Sequence, residues 1–217
     1  MNFDPENRVV KLCAEGMQAE AKGELDAAKK CFDEAWSIAS DDFERFTAAH
    51  FLARAQTDAQ LSLQWNLDTL KYANAIDDES TRSHYPSLYL NVAKSYETLN
   101  DITEANKNYQ LASDYSNFLP AGGYGDLIKS GISAGLQRTD SGAFKNAVID
   151  ELVEGWCARK ELRPLALVLP AYLQNLGTYN DKNKLISALS LLSAARCLSD
   201  DDQRKVNNLI AELSITL

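Results

Sequence analysis

The chain has 217 residues, 45% of them hydrophobic and 24% charged, with a formal net charge of -9, which is the composition of a globular protein rather than a disordered or membrane-embedded one. The acidity is confined to one half: residues 1–120 hold 11 Lys/Arg against 20 Asp/Glu, whereas residues 121–217 hold 11 against 11. An acidic surface repels phosphate backbones and no basic patch is interleaved with aromatics, so the balance argues against nucleic acid and leaves either plain solubility or steering toward a basic partner.

Taken in chain order, Met1 to Asn7 carry neither a basic nor an apolar region, so no signal peptide is expected there. Apolar residues then recur at three-and-four spacing along most of the sequence, without strand-type alternation, which predicts an all-α fold. Breaks are expected near Gly23, Ser40 to Asp42, Thr57-Asp58, Asp77 to Pro86, Asn100-Asp101, Pro120 to Gly125, Thr139 to Gly142, Gly177 to Asp181 and Ser199 to Asp202, marking out about eleven helices. The cysteines, Cys13, Cys31, Cys157 and Cys197, show no CxxC pairing and lie in apolar helical patterns. They are expected to be reduced and mostly buried, in a cytoplasmic protein. The longest apolar stretch, Leu185 to Ala195, is too short to span a bilayer, so no membrane is expected.

Within this helical ladder two segments repeat. Residues 86–115 carry Tyr89, Val92-Ala93 and Tyr96, then Ala105, Tyr109 and Ala112; residues 9–39 carry Leu12, Glu15-Gly16 and Ala19, then Ala28, Phe32 and Ala35 at the same offsets. A weaker copy, 42–73, has Ala48-Ala49, Leu52, Leu61 and Trp65. The pattern resembles the tetratricopeptide repeat, in which a large residue, Leu-Gly and Tyr on one helix are followed by Ala, an aromatic and Ala on the next. Small residues at Gly16 or Ala93 facing Ala28 or Ala105 allow close helix approach, and Phe32 and Tyr109 are expected to fill the space between hairpins. The offset from Leu61 to Ala105 exceeds the repeat by about ten residues, an insertion expected within Ala75 to Tyr85 as a long loop or an extended helix end.

The resemblance implies stacked antiparallel helix hairpins, an α-α superhelix, with three hairpins over 1–119. Over 120–217 it predicts a helical extension of degenerate hairpins, closed by a capping helix at 200–215. It also implies a concave surface lined by the first helix of each hairpin: Cys13, Met17 and Glu20, then Phe46, His50 and Arg54, then Leu90, Asn91, Lys94 and Glu97. Of these, Met17, Phe46, His50, Arg54, Leu90, Asn91 and Lys94 are the expected partner-binding residues, with Phe46 and Leu90 as apolar anchors unless Phe46 is core. Relatives that clamp a C-terminal carboxylate use Lys and Asn on these helices. Asn91 and Lys94 match, but the first hairpin offers Cys13 and Met17 instead.

Chemistry is sparse in the sequence. Two histidines, His50 and His84, no HExxH, no EF-hand loop and no Walker Lys beside Gly122 to Asp126 give no catalytic, metal or cofactor site. Carboxylate pairs such as Asp33/Glu34 and Glu151/Glu154 read as solvated faces. The expected function is a non-catalytic protein or peptide interaction module. The alternative is a cytoplasmic sensor that takes a small molecule or signalling peptide in the groove, and the sequence leaves a homodimer open.

Overall fold

In the computed structural model the described residues, 4–76, 79–139 and 146–215, hold eleven α-helices, two short 3₁₀ turns and no strand. The chain divides into two compact units, Met1–Pro120 and Ala121–Leu217. Their helices are set by the apolar spacing read above.

The first unit contains α1 (Arg8–Ala21), α2 (Leu25–Ile38), α3 (Asp42–Arg54), α4 (Ala59–Ile76), α5 (Tyr85–Thr98) and α6 (Ile102–Asp114). They pair as the hairpins α1/α2, α3/α4 and α5/α6, stacked in sequence order through α2 against α3 and α4 against α5. Asn7, Asp41 and Asp101 cap α1, α3 and α6 with side-chain oxygens that accept from free amides of the first turn. In the inserted stretch α4 runs to Ile76 and a 3₁₀ turn covers Glu79–Ser83; Asp77 and Asp78 lie outside the described residues.

The first and third hairpins turn in the same way. After α1, Gly23 is left-handed (φ 79°), its amide donates to Glu20 and the amide of Glu24 donates to Ala19; after α5, Asn100 (φ 61°) donates to Glu97 and Asp101 to Tyr96. This paired closure satisfies the last carbonyls of the first helix and reverses the chain in few residues. The second hairpin turns through Ala55 to Asp58 without a left-handed residue.

Phe32 locks the first joint. Its side chain is fully buried, and a Cβ built on Gly16 would lie 2.7 and 2.8 Å from Cζ and Cδ1 of the ring and closer still to Cε1. The absent side chain of Gly16 is therefore the space the Phe32 ring occupies, a tighter role than the small-to-small contact expected from spacing. The opposite side of the ring stacks on Phe51 of α3, 5.3 Å between centroids. Polar ties fix α1 against α3 at both ends: Asn7 Nδ2 donates to Glu44 (2.7 Å), and Arg54 pairs with Glu20 (2.7 Å).

The second unit contains α7 (Gly123–Thr139), α8 (Ala147–Ala158), α9 (Leu162–Leu173), α10 (Tyr179–Ala194) and α11 (Asp200–Ile215). Of the expected break at Thr139 to Gly142, residues 140–142 lie outside the described ones, and the break at Pro120 to Gly125 is shorter than expected because α7 starts at Gly123. A break not expected from the sequence separates α8 from α9. There Lys160 takes the left-handed position (φ 58°), donating to Cys157, while Glu161 donates to Trp156. It is the turn of Gly23 and Asn100 again, carried by a residue type that does not announce it.

Helix α11, the expected capping helix, contributes to the core of the second unit. It packs on α8 as well as α10, and its Val206 and Leu209 share one core with Trp156 of α8, Val168 of α9 and Leu189 of α10. The Trp156 indole donates to Asp202 of α11 (3.1 Å), whose carboxylate also receives Arg159. A buried carboxylate with two donors is compensated on the spot.

The cysteines depart from expectation too. All are free, but only Cys13 is buried; Cys31 is half-buried, and Cys157 and Cys197 are exposed. Cys157 is one residue past Trp156, about 100° around α8 from the buried stripe, and Cys197 lies beyond the end of α10.

Two outcomes follow from this packing. Gly16→Ala gains up to about 1 kcal/mol of helix propensity but must displace a fully buried ring. We expect a net loss of about 1–3 kcal/mol in urea melts, shrinking in a Phe32→Leu background. In native thiol titration Cys157 and Cys197 should label quickly, while Cys13, whose thiol burial pushes up to about 12, should react only on unfolding.

Candidate functional site

The residues expected on the concave face separate into core and surface. Phe46 and Leu90 are buried, at 9% and 2% exposure, which corrects their assignment as contact anchors. Phe46 packs with Ala73 of α4 and Leu88 of α5, its ring 5.9 Å from the His84 ring. Helix spacing placed Phe46 and Leu90 on the first helices but did not reveal that both are buried. Cys13 is likewise buried. Met17 is exposed on α1 (41%), and Glu97 accepts from the Tyr109 hydroxyl within its own hairpin.

Arg54, Asn91 and Lys94 do come together. They line a cleft of about 360 Å³ between the α3/α4 turn and the outer half of α5, with Thr57, Asp58 and Asn66. The packing creates this opening: α1 and α3 lie directly against one another, whereas α3 and α5 have no comparable backbone approach among the described residues. Phe46 and Leu88 share one apolar cluster toward the first turns of α3 and α5, and the α3/α4 turn leaves Gln56, Thr57 and Asp58 at the other end. Sequence reading marked Thr57-Asp58 only as a break and passed over Asn66. A polar residue within the buried stripe Leu63, Asn66, Ala73 of α4 was the available signal.

The cleft floor is rigid and its rim is polar. Asn66 Nδ2 donates to Ser95 Oγ (3.0 Å), and Ser95 Oγ donates to the Asn91 carbonyl (3.1 Å), tying α4 to α5. Ser62 Oγ donates to the carbonyl of Ala53 (3.2 Å), and the Asp58 carboxylate accepts from the amide of Leu61 (2.8 Å) at the start of α4. Arg54 is half-exposed and already paired with Glu20. Among the described residues Lys94 forms no ion pair; its carbonyl accepts from the Thr98 hydroxyl, and the residue is exposed and lines the cleft. A cation free to move, a second cation one helix away and an unengaged Asn91 amide form a surface suited to a carboxylate or other anion.

The other residues considered for chemistry lie outside this cleft. No three His, Cys, Asp or Glu side chains among the described residues gather as a metal site. Glu151 pairs with Lys205 (2.9 Å) and Glu34 with Arg8 (3.3 Å), both on exposed faces. No helix among the described residues is long and apolar enough to cross a membrane. Comparison of the chain with protein-family models, curated proteins and solved structures finds no match.

His50 sits one turn before Arg54, mostly covered, in edge contact with Phe51. Burial pushes its imidazole down to about 4, and the charges of Arg54 and His84 act in the same direction. A histidine held neutral in this way is a packing element. Because its folded value lies below the unfolded value of about 6.5, its contribution is complete above that pH and drains away as pH falls from about 6.5 toward 4. His50→Gln should remove up to about 3 kcal/mol of the acid-induced loss, read as the difference between urea midpoints at pH 7 and pH 4.5 in the two proteins. Equal losses would show that His50 takes up its proton in the folded protein as readily as in the unfolded chain.

Proposed function

We propose that the first unit is a non-catalytic interaction module of the tetratricopeptide type, in a cytoplasmic protein, and that its contact point is the Arg54–Asn91–Lys94 cleft. The observation that carries this reading is Lys94, a cation without an ion pair in a polar cleft of a unit that is otherwise strongly acidic. The repeated hairpin turn at Gly23 and Asn100 and the Phe32 joint support the repeat character. The ligand is a protein segment or extended peptide that presents a carboxylate to Lys94 and Asn91. The excess of Asp and Glu over residues 1–120 repels acidic chains at long range, so the carboxylate sits in a segment that is otherwise basic or neutral. Hydrogen bonding to Asn91 adds direction to the charge.

A second reading, a sensor for a small anionic molecule, is favoured by the cleft volume of about 360 Å³, which lies within the range of small-ligand sites. Both readings use the same cation.

Fluorescence polarisation with a panel of labelled peptides, each made with a free and an amidated carboxyl terminus, separates them. If the module reading holds, free-carboxylate peptides bind, binding weakens with salt, and Lys94→Glu or Asn91→Ala raises Kd about tenfold or more, a change of about 1.4 kcal/mol, with the thermal midpoint unchanged. Thermal stabilisation by small carboxylates without peptide binding selects the sensor. Peptide binding that survives Lys94→Glu removes the cleft from the mechanism.

A further inference from the structure

The cleft beside Lys94 holds acceptors as well as cations, and the acceptors belong to a different helix. Asp58, just ahead of α4, and Ser62 and Asn66 within it follow at four-residue spacing, so they share one strip of that helix, and all three line the cleft. Asn91, Lys94 and Thr98 line the same opening from α5.

Two acceptors on the α4 strip have capacity to spare. Asn66 is 8% exposed. The Ser95 hydroxyl gives its proton to the Asn91 carbonyl, so toward Asn66 it can only accept, and Asn66 must offer it Nδ2. Asn66 Oδ1 is left without a partner among the described residues. An acceptor buried in that state is costly, and a donor that enters the cleft relieves the cost. Asp58 takes the Leu61 amide on Oδ1 and forms no ion pair among the described residues, so its charge is not neutralised.

We propose, on the basis of the carboxylate-binding reading above, that the ligand is a chain terminus whose last residue is Lys or Arg. Its carboxylate meets Lys94 and Asn91, its own amide N–H donates to Asn66 Oδ1, and its cationic side chain runs along the α4 strip to Asp58. The lengths agree. Asn66 lies eight residues past Asp58, about 12 Å along the helix. An extended lysine covers about 7 Å of covalent bonds from its amide nitrogen to its ammonium, and a hydrogen bond of about 2.9 Å at each end brings its reach to about 13 Å. Charge selects the side chain. Residues 1–120 hold 11 Lys/Arg against 20 Asp/Glu, so a basic terminus is drawn in at long range and met by Asp58 at short range, whereas a neutral one gains from neither.

Fluorescence polarisation on the full chain tests this with labelled peptides of one sequence that end in Lys, Arg, norleucine or Glu, each with a free carboxyl terminus. Lys and Arg should bind about tenfold or more tighter than norleucine, and Glu more weakly still. Asp58→Asn keeps the helix cap, since Asn caps as well as Asp; it should bring the Lys peptide to the affinity of the norleucine peptide and leave the latter unchanged. Replacing the last peptide N–H by an ester oxygen should weaken binding to the wild-type protein. Equal affinity for Lys and norleucine, with amidation still abolishing both, would overturn the basic terminus and leave the carboxylate reading standing. A Lys preference that survives Asp58→Asn, or an ester that binds as well as the amide, would remove Asp58 or Asn66 from the site and overturn the arrangement. Tighter binding of free lysine than of the peptides would overturn a chain terminus as the source of these groups. Failure of every free-carboxylate peptide to bind would overturn both readings together.

Discussion

The packing of the first unit depends on one ring in one gap. Phe32 occupies the volume a side chain at Gly16 would fill and presses its other side on Phe51, so the same residue closes the first hairpin and joins it to the second. A side chain shared in this way couples intra-hairpin and inter-hairpin packing, and neither can be relaxed alone. Around it, Trp36 of α2 meets Trp65 and Tyr72 of α4 at 4.9 and 6.0 Å, extending the contact from the first helices to the second helices. With Asn7–Glu44 and Arg54–Glu20 at the two ends of α1 and α3, the first two hairpins form one stiff body.

The third hairpin joins by other means, and the cleft results from that difference. Its attachment runs through α4 and α5, by the Asn66–Ser95 hydrogen bond and by Phe46 against Leu88. The longer α3/α4 turn falls beside the cleft, whereas the 3₁₀ segment Glu79–Ser83 lies at the other end of α4 and α5. At the α3/α4 turn, Thr57 lines the opening together with Asn91 and Lys94.

Fold class was legible in the sequence because helical periodicity and small-residue spacing are local. Ala28, Ala35, Ala105 and Ala112 are all fully or almost fully buried, as their spacing requires. What was not legible depends on neighbours distant in sequence. Phe46 and Leu90 lie on first helices, as their spacing indicates, but burial by residues distant in sequence, such as Ala73 and Leu88 against Phe46, does not show in the spacing. The turn at Lys160 escaped notice because left-handed backbone is signalled by Gly or Asn, and Lys bears no such signal. The integration of α11 into a core with α8 was hidden for a similar reason: an amphipathic helix looks the same whether it caps a stack or completes a bundle.

Within the cleft, the state of Lys94 follows from solvent access rather than from the absence of acids. Asp58 lines the same opening, but its carboxylate is committed to the amide at the start of α4, where it answers the helix dipole. Glu20 is committed to Arg54. Pairing Lys94 with either would give up an interaction that fixes backbone geometry in return for a surface ion pair worth little. An exposed ammonium costs little without an ion pair, and in the function proposed above it is the group that a ligand carboxylate would meet. Structural commitments of the neighbouring acids keep the site cationic in an acidic unit.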